Sequence, residues 1–332
     1  MTTSSQRLQW MDFIRGICIL LVIFVHASSV LAENDIAYPR AFGIFNEFLD
    51  PFRMPLLMFL SGMLLPRSLA KSDKEYLWGK FCLIFWPFLL WSMATYAADN
   101  RLTWEYILKT PISAPSVMWY LWFLCAYYVI ALFLVRMSVP VVPVLLLSLI
   151  ASAFLPSLVR MDRFAALFVF FLLGYSAAER HFSMKGRAPL ALLGLGAAVA
   201  GGAISIFFGK IKYDPLFVWV PVGLILFVLW SAAFYTSSRP KSAIEWIGRN
   251  SIVFYAVHFP ALLVSARVLA STTSLEGGVF YAVLFLWVVS VGAILQVLRR
   301  RFSLIVALFD FRQVLKSLNI GYGGSVRKRA RQ

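Results

Sequence analysis

Ten stretches of this chain, each 18 to 22 residues long, are almost uniformly apolar: 13–32, 48–66, 81–98, 117–135, 139–157, 161–178, 188–208, 215–236, 250–270 and 278–298. A helix needs about 20 such residues to cross the hydrocarbon of a bilayer. Backbone in hydrocarbon has no water to bond, so each stretch must close its own hydrogen bonds as a helix. The pattern predicts an all-α integral membrane protein, a ten-helix transmembrane bundle. Composition agrees: 61% of residues are hydrophobic and 14% charged, where soluble domains hold about 45–50% and about 25%. Pro55, Pro87, Pro143 and Pro221 fall inside spans, where neighbouring helices and water can satisfy the groups they free.

A net charge of +16 would suggest nucleic acid in a soluble chain. Here its distribution points to the membrane, and no nucleic-acid partner is expected. With the N-terminus placed inside, 21 of the 31 Lys and Arg fall in segments on that side and seven in the opposite loops. The positive-inside rule then puts both termini in the cytoplasm of a multi-pass protein of the plasma (inner) membrane. Residues 1–298 form the transmembrane domain and 299–332 a basic cytoplasmic tail. Within the tail, FSLIVALFDFRQVLKSL is expected to lie on the membrane as an interfacial amphipathic helix. GYGGSVRKRARQ is expected to touch lipid headgroups. ASSVLA at 27–32 resembles a signal-peptide cleavage site, yet the segment reads as the first span. Cys18, Cys82 and Cys125 sit in apolar stretches without metal-ligand or CxxC spacing. They read as small core residues, and no metal site is expected.

Polar groups inside spans carry the information, because a charge in hydrocarbon costs several kcal/mol on most scales. Two of the three histidines, His26 and His258, are intramembrane, while His181 falls in a charged loop. Arg15 and His26 are eleven steps apart, a net turn of roughly 20° and a rise of about 16 Å on a helix. Asp12 precedes Arg15 by three residues, close enough to pair. Asp12, Arg15 and His26 therefore share a face running from the cytoplasmic rim into the outer half of the membrane. Taken singly, Arg15 reads as a snorkelling anchor and His26 as a packing histidine; together they read as a polar track. An imidazole there is suited to proton transfer near neutral pH. Arg53 opens the second span and either pairs with Asp50 or faces a polar acceptor. Ser61-Gly62 reads as a close helix contact. His258 either assists His26 or is structural. Tyr120, in the aromatic run APSVMWYLWFLCAYY, can donate a hydrogen bond into a cavity.

Four blocks resemble the membrane-integral acyltransferase 3 family, in order. WMDFIRGICILLVIFVHAS is similar to its first block, an acidic residue and RG within R-x10-H. FRMPLLMFLSGML is similar to its F-x-M-P-L-F-F-F-x-S-G block, MWYLWFL to its LWFL block, and IGRNSIVFYAVHFPALL to its G-x-x-S-x-x-x-Y-x-x-H-x-P block. KFCLIFWPF at 80–88 matches the basic residue and proline that follow the second block. The resemblance covers most of residues 10–265 and is most specific in the first block. It departs at Arg53, where many members carry His or another residue, and at Tyr120, where several carry His.

The resemblance implies ten core helices and transfer of an acyl group, usually acetyl, from cytoplasmic acyl-CoA to a hydroxyl of a surface polysaccharide, lipid-linked sugar or glycolipid. The donor would be acetyl-CoA, the partners a lipid bilayer and a glycan or glycolipid acceptor. Its R-x10-H residues fall on Arg15 and His26. A thioester is already activated, so such an enzyme needs a base for the acceptor hydroxyl and a donor for the oxyanion. His26 is the candidate base, with Asp12 and Arg15 at the cytoplasmic mouth. Arg53, Tyr120 and His258 are the acceptor-side or oxyanion candidates. Arg15, Arg67, Lys71, Lys74 and Lys80 are the candidates for CoA phosphates, although each of the last four singly reads as positive-inside signal. The rival reading is a transporter or flippase of a lipid-linked sugar, since intramembrane His and Arg also mark transport paths. Transporters often show two similar halves, and no such duplication is visible here. A non-catalytic scaffold would leave the Arg15–His26 stripe without a purpose.

Overall fold

A computed structural model describes the backbone of residues 3–113, 117–157, 160–209 and 211–318, and their side chains except those of residues 3–8 and 113. The basic end GYGGSVRKRARQ lies outside the described residues. Among the described residues the chain is helical without strands. In order the helices are α1 (Thr3–Glu33), α2 (Arg40–Leu49), α3 (Arg53–Met63), α4 (Leu65–Leu69), α5 (Asp73–Lys80), α6 (Trp86–Ala98), α7 (Trp104–Ser113), α8 (Trp119–Arg136) and α9 (Val141–Phe154). Then follow α10 (Met161–Glu179), α11 (Ala188–Phe208), α12 (Trp219–Ser231), α13 (Arg239–Arg249), α14 (Ser251–Thr272), α15 (Gly277–Arg299), α16 (Ser303–Ala307) and α17 (Phe311–Ser317).

Nine helical segments among the described residues are long and apolar enough to cross a membrane. One of the ten expected crossings is shorter than these nine. The 139–157 stretch forms α9, of 14 residues. That is about 21 Å, short of the roughly 30 Å hydrocarbon core. Prolines bound it: Pro140 sits at its N-cap, and Leu155 is extended at ψ 143°, as expected of a residue that precedes a proline, here Pro156. The second span is longer than expected, running Arg40–Leu69. It breaks at 50–52, where Pro51 lacks an N–H and its ring collides with the preceding turn. Pro87 acts likewise on the third span. The helix accommodates it by widening to a π-helical turn over Phe81–Phe85, which contains the carbonyl four residues before the proline.

α1 is the spine of the bundle, packing against α2, α3, α13, α14 and α15. Its contact with α13 is a backbone-to-backbone approach. A Cβ on Gly248 would lie 1.8 Å from the Asp12 carbonyl oxygen, and one on Gly16 2.2 Å from that of Ile244. α3 and α10 meet the same way, through Gly62 against the Phe171 carbonyl and Gly174 against that of Phe59. Small residues permit this closeness, and the packing gained drives association where no hydrophobic effect operates between helices.

The tail departs from the expected single interfacial helix. Residues 303–317 form the two short helices α16 and α17, because the Asp310 side chain accepts from the Arg312 N–H and caps a new start. The turn between them is docked on α6. Trp86 and Trp91 donate their indole N–H groups to the carbonyls of Ala307 and Leu308 at 2.8 and 3.3 Å. Phe309 is fully buried against the Trp91 ring.

Overpacking a tight contact costs about 1–3 kcal/mol. Gly248→Ala is therefore expected to lower the thermal midpoint of the detergent-purified protein by several degrees. Gly79→Ala, where an added Cβ meets nothing within 4 Å, should leave it unchanged. Fluorescence-detected size exclusion after heating distinguishes the two variants.

Candidate active site

α1 presents Asp12, Arg15, Ile19 and His26 along one side. Arg15 Nη1 lies 3.8 Å from Asp12 Oδ1, the pair expected from their spacing, and each side chain is 15% exposed. Arg15 lines a cleft of about 590 Å³, open mouth included. The cleft walls come from four other elements: Leu57 and Ser61 of α3, Ile84 of the π turn, Tyr120 and Tyr128 of α8, and Tyr255 of α14. It is mostly apolar, with the Arg15 guanidinium as its cation.

Hydroxyl bonding inside the cleft is directional. Ser61 Oγ donates to the Leu57 carbonyl at 2.8 Å, so its proton is committed and its lone pairs face outward. The Tyr120 hydroxyl, 3.3 Å away, is then the donor of that pair. Tyr128 donates to the Ser61 carbonyl and Tyr255 to that of Val117. Tyr120 is thus the phenol of the three whose hydroxyl bonds a side chain rather than a backbone carbonyl.

His26 does not line this cleft. It sits two helical turns beyond Ile19, on the far side of Tyr255. There α14 brings His258 against it: His258 Nε2 lies 3.0 Å from His26 Nδ1. His258 Nδ1 lies 2.5 Å from the Tyr255 carbonyl. A carbonyl only accepts, so His258 Nδ1 carries the proton, and in the neutral ring Nε2 is a lone pair. His26 Nδ1 must donate to it. The remaining nitrogen, His26 Nε2, is left unprotonated. His258 is 1% exposed, whereas His26 is partly open and meets the Phe259 ring edge-on at 5.4 Å. The chain order Tyr255 carbonyl, His258, His26 thus ends in an unprotonated nitrogen on the less buried of the two rings.

The remaining candidates divide between the two ends of this axis. Lys80 does not line the cleft but packs on one of its wall residues: its Nζ stands 3.5 Å from the centre of the Tyr128 ring and 3.2 Å from Ser68 Oγ. Arg67, Lys71 and Lys74 are exposed and line no part of the cleft. Arg53 is 4% exposed and belongs to a buried network on the far side of the histidines. It donates to Asp50 Oδ1 at 2.7 Å and toward Asn46 Oδ1 at 3.4 Å. Lys212 shares the Asp50 carboxylate. Asn46 donates to Ser28 Oγ at 2.8 Å, Ser28 meets the Tyr281 hydroxyl at 3.0 Å, and Tyr281 donates to the Phe24 carbonyl.

Lys212, Asn46, Ser28 and Tyr281 escaped the sequence reading. Ser28 lies two residues from His26, and Asn46 is the buried polar residue of α2; an uncharged polar group among apolar neighbours was the available signal. Glu245 escaped it too. It is 2% exposed and accepts from the hydroxyls of Tyr235 and Ser237 at 2.9 and 2.5 Å, on the helix that packs against Asp12.

Residues 8–297 match the family model of the acyltransferase 3 domain. The chain belongs to the acyltransferase 3 family. The match spans α1 through most of α15, and so includes both histidines, the cleft and the Arg53 network. This acyltransferase 3 protein is also similar to the inner membrane protein YcfT of Escherichia coli K12, at 24% identity over 76% of this chain and 79% of that one. No solved structure matches it. An all-helical membrane bundle of the acyltransferase 3 family is thus a membrane acyltransferase in class.

The hydrogen-bond order fixes a tautomer that can be read directly. In protein carrying ¹⁵N-histidine and His181→Gln, solid-state NMR at neutral pH is expected to show both remaining rings protonated at Nδ1. An Nε2-protonated His26 would contradict the bonding derived above.

Proposed function

We propose that this protein moves an acyl group, acetyl in the simplest case, from cytoplasmic acyl-CoA to a hydroxyl of an extracytoplasmic cell-envelope glycan or glycolipid. On this reading it sits in the inner membrane with both termini in the cytoplasm, as the charge asymmetry and the relative's name suggest. The observation that carries the proposal is the unprotonated His26 Nε2 at the end of the His258–His26 pair. That nitrogen takes the proton of the acceptor hydroxyl as its oxygen bonds to the thioester carbonyl carbon. The C–S bond then breaks, and the imidazolium returns the proton to the departing thiolate. His258 shares the positive charge that forms on His26 and holds the ring in its basic tautomer.

The cleft suits the thin arm of the donor. Arg15 and Lys80 supply cations for its phosphates at the mouth, and Tyr120 supplies a hydroxyl donor at depth. The Arg53 network lies on the acceptor side. Its charges favour a polar, hydroxyl-rich acceptor over hydrocarbon.

The test is acyl transfer by purified protein from radiolabelled acetyl-CoA to extracted envelope glycans and glycolipids. His26→Ala is expected to lower transfer by roughly 10²–10⁴-fold, the usual contribution of a positioned base, with unchanged expression. His258→Gln should lower kcat and leave the donor KM intact. Lys80→Ala should do the reverse. Normal transfer by His26→Ala would remove the mechanism. Absent transfer by wild type, with glycan export that survives in His26→Ala cells, would replace it with transport.

A further inference from the structure

A second groove lies on another side of the bundle and shares no residue with the Arg15 cleft. Phe59 of α3, Leu173 and Ala177 of α10, and Val222, Ile225 and Leu229 of α12 give it an apolar wall, and it encloses about 650 Å³ with its open side included. Its three helices belong to membrane-spanning segments, so what fills the groove is hydrocarbon in character. One end is different. Arg180, the residue after α10, lines it together with Phe182. The Arg187 guanidinium stands 5.8 Å from the centre of the Phe182 ring, which brings a second cation to the same end. Lys185 is exposed between them.

Neither Arg180 nor Arg187 is in a salt bridge among the described residues. Glu179 is the carboxylate of the whole 176–190 stretch. From Ala177 to Arg180 the helix rises about 4.5 Å and from Leu173 about 10 Å, so the apolar wall begins just below the cations and runs inward. A span end normally carries cations at the interface. It does not need an apolar furrow beneath them with two guanidiniums gathered over its mouth.

We propose that this groove binds one anionic phospholipid of the adjoining leaflet. One acyl chain lies against Leu173, Ile225 and Leu229, and the phosphate is held by Arg180 and Arg187. The chemistry of both ends argues for this occupant: the groove accepts an alkyl chain, and the guanidiniums take a phosphate through paired N–H donors. A peptide would leave backbone groups unbonded in the apolar part. A zwitterionic lipid would fill the groove and bring its own cation against the two arginines.

The experiment uses the full chain in nanodiscs and a phosphatidylglycerol bearing a diazirine on one acyl chain. Irradiation followed by peptide mapping is expected to place adducts on residues 173–177 and 222–229. Unlabelled phosphatidylglycerol should compete them away, and phosphatidylcholine of the same chains should not. Each cation near an anionic headgroup contributes roughly fivefold in affinity. The Arg180→Ala/Arg187→Ala variant should thus lose about twenty-five-fold in competition strength at these peptides and keep adducts elsewhere. Arg180→Lys/Arg187→Lys, which keeps the charge, should retain most of the preference. Adducts missing from both segments, equal competition by phosphatidylcholine, or an unchanged preference in the double alanine variant would overturn the site.

Discussion

An imidazole in the middle of a bilayer has nothing to bond to except protein, and this structure depends on how that need is met. Each nitrogen left unsatisfied there costs on the order of 1–3 kcal/mol. His258 resolves the cost completely, with one nitrogen on the Tyr255 carbonyl and the other on His26. His26 resolves only half of it through that contact. The arrangement is asymmetric for a physical reason. The buried ring is fixed because both its nitrogens are used, and the partly open ring inherits a defined tautomer from it. Proton chemistry needs that difference, because a base must be oriented by its neighbours and still present a lone pair.

The distance between the rings is set elsewhere. α1 and α14 must approach closely enough for two side chains to share one hydrogen bond. The approach is fixed at the far end of α1, where Gly16 and Gly248 let α1 and α13 touch backbone to backbone. α14 follows α13 directly after Asn250, whose N–H closes on Trp246 and Ile247 and whose carbonyl accepts from Val253. The glycine beside Arg15 and the glycine before Arg249 thus belong to the same device as the histidines, although they lie several turns away. In a membrane, where helix contacts gain little from apolar burial, such backbone proximity is what makes side-chain geometry reproducible.

Much of this was legible in the sequence because the signals are local. Span length and apolarity pointed to the nine helical segments long enough to cross, and an R-x10-H spacing on a 3.6-residue period put Arg15 and His26 on one side of α1. The Asp12–Arg15 and Asp50–Arg53 pairs follow from i,i+3 spacing alone. What was not legible depends on contacts distant in the chain. Lys212 reaches Asp50 across 162 positions and His258 reaches His26 across 232, and no periodicity encodes either. The helix in the 139–157 stretch is shorter than its hydropathy suggests through an end effect: hydropathy averages over a window, whereas Pro140 and Pro156 act on single residues. The docking of the tail was not legible because it depends on Trp86 and Trp91, whose N–H groups bond the Ala307 and Leu308 carbonyls more than 200 positions away.

The two polar regions beside the histidines differ in a way that bears on direction. The Arg15 cleft is apolar with its charge at the mouth, so a long ligand can enter only with its charged part left outside and its thin part ahead. The Arg53 region differs: Arg53 is buried, Lys212 is partly exposed, and the two cations share the single Asp50 carboxylate and keep one net positive charge, while the remaining donors and acceptors are amide and hydroxyl groups. A ligand that displaced Asp50 would break both ion pairs in a medium of low dielectric, a costly exchange. A neutral hydroxyl-bearing ligand need only exchange one hydrogen bond for another. On the proposed reading, the anionic donor with its slender end and the neutral alcohol are thereby sorted to opposite sides of the pair of rings. For the proposed acyl transfer, that sorting means the phosphates of the donor never have to enter hydrocarbon.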